Sequence, residues 1–448
     1  MTAAGVEERR APRGIGLATA LAILFSNMIG TGVFTSLGFQ VVGIRSGFAL
    51  LALWVVGGAV ALCGALSYAE LGAALPRSGG EFVYLGRIYH RLLGFLGGWV
   101  SMTVGFAAPI ALAGIAFGRY LSALVPVGPL AGSLAVLALV ILVHAADLRI
   151  ARRFQVAITT IELLLILGFI AAGTLYGRPE PLDFAPSSSA WLDVTSSAFA
   201  VSLIYVSYAF SGWNAAGYVA GEIRDPERVL PRAVVIGTAL VTLLYVLLNW
   251  TFLRTVPLDR LAGVVEVGAL SASSMFGPAG GKVMSAVIAT LLVATISGMV
   301  LAGSRVTQAV ASALPRLGWI AARTGRGVPR NAVLVQAGLT AALLLTNSFE
   351  RVMAYAGFTL NLMTLLTVVG LFRLRRREPD LPRPFRVWGY PVVPALFVLL
   401  SVWTLGFVLR ERPAEALAGL VTLASGLVVY RLARRGGTDS GALQRVAD

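Results

Sequence analysis

Ser26-Asn27-Met28-Ile29-Gly30-Thr31-Gly32 interrupts an apolar run that extends from about residue 15 to residue 38. Leu17, Ala20, Leu21, Ile23, Leu24 and Phe25 precede it, and Val33, Phe34 and Leu37 follow. The run is long enough to cross a bilayer, yet a Gly-Thr-Gly triplet falls where a spanning helix should be strongest. Two glycines this close favour local unwinding. Backbone groups freed in hydrocarbon must be buried in protein or line a cavity. A mid-depth cavity ringed by bare backbone donors and acceptors is what a transporter needs.

The rest of the chain agrees. Its 448 residues are 57% hydrophobic and 13% charged, with a mean hydropathy of +0.82, which excludes an ordinary soluble domain. Twelve mostly apolar runs fall at about 15–38, 47–73, 94–118, 129–147, 154–176, 195–220, 232–253, 280–303, 331–348, 352–373, 391–409 and 414–432. The sequence therefore predicts an all-α membrane protein with twelve transmembrane helices. The first run is too long and too interrupted for a signal-peptide core and reads as a retained helix. The net charge of +15 does not indicate nucleic acid, because the arginines are dealt out in small groups between apolar runs. Cys63 is the only cysteine, and His90 and His144 are far apart. Neither a disulfide framework nor a metal cluster is expected, nor is any other cofactor.

Twelve spans put both termini on one side. Assigning them and the even-numbered loops to one face collects about three-quarters of the 36 basic residues, so the termini are expected in the cytoplasm. The chain then divides into a cytoplasmic segment (1–14), a first five-helix repeat (15–176), a second (195–373), two peripheral helices (391–432) and a cytoplasmic tail (433–448). The longer connections are 177–194 and 254–279 outside, and 304–330 and 374–390 inside.

Inverted-repeat transporters place their site at paired discontinuous helices in corresponding positions of the two halves. With a five-helix unit, a broken helix 1 calls for a broken helix 6. Helix 6 contains Tyr208-Ala209-Phe210-Ser211-Gly212-Trp213-Asn214, a polar, glycine-bearing interruption at mid-span. A broken helix offers N–H groups at the start of one half and carbonyls at the end of the other. These suit the carboxylate and ammonium of an α-amino acid without a charged side chain.

These residues also carry a family resemblance. Ile29-Gly30-Thr31-Gly32-Val33-Phe34 resembles a helix 1 signature of the amino acid–polyamine–organocation superfamily. Tyr68-Ala69-Glu70-Leu71-Gly72 with Pro76-Arg77-Ser78-Gly79-Gly80 is similar to its helix 2–3 loop. Ser211-Gly212-Trp213-Asn214, then Glu222 to Arg228 and Pro231, resembles its helix 6–7 signature. Ser304-Arg305-Val306, and Arg375 with Pro379 to Phe385, also match. The likeness spans about residues 14–432 and is nearest the L-type amino acid transporter branch.

The resemblance implies the leucine-transporter fold, with 5+5 inverted repeats and discontinuous helices 1 and 6. It implies a carboxylate site on the amides of Gly30, Thr31 and Gly32, and ammonium contacts with the carbonyls of Met28, Tyr208 and Ser211. Tyr208 would cover the substrate, and Trp213 and Asn214 would shape the pocket around its side chain. The metazoan members bind a glycoprotein through a cysteine in the helix 3–4 loop. That loop, about 119–128, has none, so no disulfide-linked partner is expected.

Glu162 lies among apolar residues of helix 5. An intramembrane carboxylate is costly when charged, and it stands where the resembling proteins usually have lysine, so the lysine's role does not carry over. Burial disfavours the charged form, which makes Glu162 a candidate proton carrier. Its alternative is a packing carboxylate bonded to a neighbour. Glu70, Glu81 and Glu222, at helix ends near arginines, suggest cytoplasmic gate ion pairs. Asn249 and Asn361 suggest interhelical hydrogen bonds.

No ATP-binding loop or catalytic triad is present, so the chain is not expected to be an enzyme. The expectation is an amino acid permease of a bacterial inner membrane, a proton symporter or an exchanger. The alternatives are a polyamine or organic-cation carrier, which should carry acidic residues near the breaks, and a membrane sensor.

Overall fold

A computed structural model describes residues 14–75, 79–146, 151–214, 223–312, 314–322 and 329–434. All but the first two residues of the expected cytoplasmic tail, Pro76 to Ser78, Glu222 and the segment after Asn214 lie outside these residues, as does all but the last residue of the expected 1–14 segment.

The chain is helical, and among the described residues its one extended pairing is an isolated parallel bridge between Ile15 and Ile223. The first apolar run forms α1 (Leu17–Met28), α2 (Thr31–Thr35) and α3 (Leu37–Gln40). Between α1 and α2 the backbone is extended at Ile29 (φ −75°, ψ 118°) and Gly30 (φ −167°, ψ −158°). The break falls where the Gly-Thr-Gly triplet places it.

Next come α4 (Gly47–Ala74), α5 (Glu81–Ile88) and α6 (Arg91–Val100). A π-helical turn, Ser101–Phe106, joins α6 to α7 (Ala107–Ser122), and the rod they form is 32 residues long. The first half closes with α8 (Pro129–Ala146) and α9 (Ala151–Tyr176). The short α10 (Ser188–Val194) then leads into α11 (Ser197–Ala209) at an angle of 59°. Ser196 starts α11 by accepting from the Phe199 N–H at 3.1 Å, a serine cap. After the second interruption follow α12 (Pro226–Thr255), α13 (Leu258–Leu261) and α14 (Val267–Ser312), which kinks at Gly277. The chain ends with α15 (Gly318–Ala321), α16 (Arg330–Leu344), α17 (Phe349–Arg377), α18 (Val392–Glu411) and α19 (Pro413–Arg434).

Seven helices among the described residues are long and apolar enough to cross a membrane: α4, the α6–α7 rod, α12, α14, α17, α18 and α19. Large apolar side chains such as Leu142, Leu164, Leu175, Leu399 and Val421 stay exposed on helices. A surface of this kind is stable against lipid and unstable in water. The protein is a multi-pass membrane protein.

The connections hold more structure than apolar runs reveal. Helices α5, α10, α13 and α15 occupy stretches expected to be linkers, because short segments can bury one face against the bundle without a spanning-length run. Inside the bundle α12 packs on α4, α1 and α9, while α7 packs on α14, α8 and α16. Helix α11 lies against α4, α17 and α18.

Candidate functional site

The two interruptions meet. Gly32 lies so close to helix α11 that a Cβ there would sit 2.7 Å from the Cα and Cβ of Ala209. Gly212 has φ +113°, and a Cβ on it would meet the Asn27 carbonyl oxygen at 2.3 Å. Only glycine tolerates both that torsion and that approach. The glycines that looked like helix breakers in the sequence are also the contact points between the two breaks.

Helix α11 ends as the sequence led us to expect. Phe210 N–H bonds the Val206 carbonyl at 2.9 Å and Ser211 N–H bonds the Tyr208 carbonyl at 2.9 Å, after which the helical pattern stops. On α1 the Ile29 N–H still bonds Phe25 at 2.9 Å, and Met28 is the last helical residue.

Tyr245 of α12 fastens the two ends together. Its buried hydroxyl lies 2.6 Å from the Met28 carbonyl oxygen and 3.2 Å from that of Ala209. One proton therefore serves two carbonyls whose own helices have run out. The ring is held by Trp54 (centroids 5.5 Å apart, 84° between planes) and by Phe210 (5.0 Å, 56°). Sequence reasoning missed Tyr245, a lone aromatic in an apolar helix with no local signal of its role.

The expected site residues divide into two groups. Met28, Gly30, Thr31, Gly32, Tyr208 and Ser211 gather around the facing breaks, and the Tyr208 hydroxyl engages the Thr31 side chain. The Met28 and Tyr208 carbonyls each already accept one hydrogen bond and keep a second lone pair. Trp213 and Asn214 point elsewhere. Trp213 stands edge-on to Tyr68 of α4, centroids 4.9 Å apart, and packs over Gly64. Asn214 Nδ2 donates to Glu81 Oε1 at 3.1 Å, and the Tyr68 hydroxyl donates to the same oxygen at 2.9 Å. These two residues anchor the unwound segment to α4 and α5.

Glu162 is 6% exposed. It faces a narrow cleft whose lining includes Gly30, Thr31 and Thr35 from the first break, Tyr120 of α7 and Thr295 of α14. The structure thus brings a residue 130 positions downstream beside the triplet. Among the described residues no three His, Cys, Asp or Glu side chains gather to hold a metal ion.

At the opposite end of α4, fully buried Glu70 accepts from Arg375 Nε at 2.8 Å and Nη2 at 2.5 Å, and from the Val387 N–H at 2.7 Å. The Arg375 guanidinium stacks over the Tyr390 ring at 3.7 Å. Arg87 and Glu378 form a bidentate pair at 2.6 and 2.9 Å. Acidic helix ends meeting arginines were the sequence expectation. Asn361 donates across helices to Thr404 at 3.4 Å. Asn249, by contrast, donates to the Tyr245 carbonyl of its own helix at 2.8 Å.

A broken first helix set against the end of α11 inside a membrane bundle is an arrangement that membrane carriers of small solutes use. Comparison with known proteins makes the class specific. The amino acid permease family matches residues 15–416. Asc-type amino acid transporter 1 of Mus musculus is 31% identical over 437 residues, covering 93% of this chain and 80% of its own length. The large neutral amino acids transporter small subunit 2 of Homo sapiens is 30% identical over 430 residues, with 93% and 80% covered. The serine/threonine exchanger SteT of Bacillus subtilis is 28% identical over 442 residues, with 96% and 99% covered. The chain belongs to the amino acid permease family; it is a transport protein and not an enzyme.

Proposed function

We propose that this chain is a secondary transporter that moves α-amino acids by alternating access, as an exchanger or proton symporter. The observation that carries this is the pair of facing breaks clasped by Tyr245. Their loose backbone groups match the two charged ends common to all α-amino acids. In this reading the amides of Gly30, Thr31 and Gly32 take the carboxylate. The free lone pairs on the carbonyls of Met28, Tyr208 and Ser211 take the ammonium, and Tyr208 covers the substrate. Trp213 and Asn214 act less directly, by holding the unwound segment.

The packing supports a twelve-helix, 5+5 inverted repeat. The four shorter apolar helices (Leu17–Met28, Pro129–His144, Thr160–Tyr176 and Arg330–Leu344) and the bent α10–α11 pair fall on the remaining expected runs. Helices five places apart in the proposed order lie against each other: α4 with α12, α7 with α14, α8 with α16. Neighbour pairs also recur in both halves. Helix α1 packs on α12 as α11 packs on α4, and α9 packs on α14 as α17 packs on α7. An approximate two-fold relation between the halves accounts for this. The arginine distribution supports a reading with both termini on the cytoplasmic side of a bacterial inner membrane.

The test is a thermal-shift screen of the purified protein against the twenty amino acids, followed by exchange assays in proteoliposomes. Stabilisation and exchange by a subset of neutral amino acids are expected. Stabilisation by a polyamine and by no amino acid would turn the assignment to the organic-cation alternative.

A further inference from the structure

The cleft beside the first break holds Glu162, the only acidic residue in its lining. Nothing among the described residues bonds this carboxyl group. The threonine hydroxyls of the cleft are committed elsewhere: Thr35 donates to the Thr31 carbonyl at 2.6 Å, Thr295 to the Leu291 carbonyl at 3.2 Å, and Thr31 engages Tyr208. The Tyr120 hydroxyl shares the cleft, is buried and bonds nothing among the described residues, Glu162 included. The other walls are mostly apolar, including Ala116 and Leu292.

The titratable groups around it are few. Tyr245 of α12 lies close enough for charge interaction, and Tyr120 of α7 shares the cleft. Tyr208 of α11 sits behind Thr31. Helices α1 and α2 present no titratable group to it, and neither does α14. His144 of α8 is occupied with Ser297 at 2.7 Å. Among the described residues no Lys or Arg faces the carboxyl group.

A buried anion that receives no hydrogen bond and faces no cation is unfavourable. A hard cation prefers a shell of six or more oxygens, which these walls do not furnish. A proton needs only the carboxylate itself.

We propose that Glu162 binds a proton together with the substrate, so that filling the site at Gly30–Gly32 requires Glu162 to be neutral. This rests on the amino-acid reading above, which places a substrate carboxylate at the break that the cleft adjoins. Two carboxylates across a dry gap oppose each other, and protonating one removes the opposition. The step balances simply. Glu162 takes H⁺ from water on the loading side, the zwitterion binds without net charge, and both leave on the other side. Each cycle moves one amino acid and one positive charge.

Proton uptake is measured on purified protein in weak buffer with a pH indicator, adding an amino acid that stabilises it in the thermal-shift screen. The expected result is alkalinisation approaching one proton per bound substrate, and acidification of proteoliposomes during uptake, reported by an entrapped dye. Glu162→Gln and the apolar Glu162→Leu are both expected to abolish these signals, with whatever binding remains independent of pH. Substrate binding without proton uptake by the unmodified protein would overturn the proposal and leave the amino-acid reading standing. So would undiminished proton uptake in Glu162→Gln, or uptake driven by sodium. Failure of every amino acid to bind would remove the amino-acid reading, and this proposal with it.

Discussion

Replacing Tyr245 by phenylalanine isolates the clasp between the two breaks. The ring contacts with Trp54 and Phe210 persist, so no cavity is created; only the hydroxyl over the Met28 and Ala209 carbonyls disappears. The 2.6 Å bond to Met28 dominates, and the 3.2 Å contact with Ala209 shares the same proton. An ordinary buried hydrogen bond contributes about 1 kcal/mol, and an acceptor left unpaired adds a penalty of about 1–3 kcal/mol. Water reaching the loosened break offsets part of this, leaving about 1–2 kcal/mol against the clasped arrangement. That corresponds to roughly a 5- to 30-fold change in the balance of conformations. Because the clasp joins helix ends that must separate or rotate during transport, apparent affinity should shift by about tenfold at one membrane face and much less at the other. Counterflow in proteoliposomes of known orientation measures both faces. Apparent KM within twofold of the unmodified protein at both faces, with an unchanged unfolding temperature, would refute the reasoning.

Gly212→Ala should abolish exchange, because its Cβ would lie 2.3 Å from the Asn27 oxygen at φ +113°; the torsion alone costs about 1–3 kcal/mol. Near-normal exchange by a well-folded Gly212→Ala protein would show that the breaks do not touch. Glu70→Ala leaves Arg375 facing an emptied pocket, and losing one member of a buried pair costs about 3–5 kcal/mol. Arg375 is partly exposed, but the buried Arg383, 3.6 Å from the same carboxylate, also loses its counter-charge, so an effect within that range is expected, read as poorer yield of monodisperse protein and a lower unfolding temperature. Glu70→Gln should lose less, since it still offers the Val387 N–H an acceptor. Asn214→Ala and Tyr68→Phe remove two donors to one oxygen of Glu81, so their effects on transport should couple by about 0.5 kcal/mol or more in a double-mutant cycle. Strict additivity would mean that the two contacts act independently.

Much of the site was legible because backbone chemistry leaves marks in sequence. Gly30-Thr31-Gly32 in an apolar run admits few readings in hydrocarbon, and its counterpart at Ser211-Gly212 follows from repeat logic. The ion pairs of Glu70 were foreshadowed by acidic residues at helix ends and arginine-rich loops. Trp213 and Asn214 have contacts that the sequence did not reveal. Sequence order places them beside Ser211, but the torsion at Gly212 turns the chain toward α4 and α5. Tyr245 was invisible, because a tyrosine in an apolar helix looks the same whether it packs or clasps.

By itself, then, the sequence determined that the chain lives in a membrane, where its long apolar helices run, where the first run breaks and where α11 ends. These properties are local: run length, glycine placement and the cost of unpaired backbone in lipid. Tertiary structure decided what the breaks face. It set Gly32 against Ala209, Gly212 against Asn27, the Tyr245 hydroxyl over both carbonyl ends and Glu162 beside the triplet. These are contacts between residues 36 to 217 positions apart, and no local pattern encodes which faces of the helices meet. The run that opens with Ser26 thus meets residues of three other helices, Glu162 of α9, Ala209 of α11 and Tyr245 of α12.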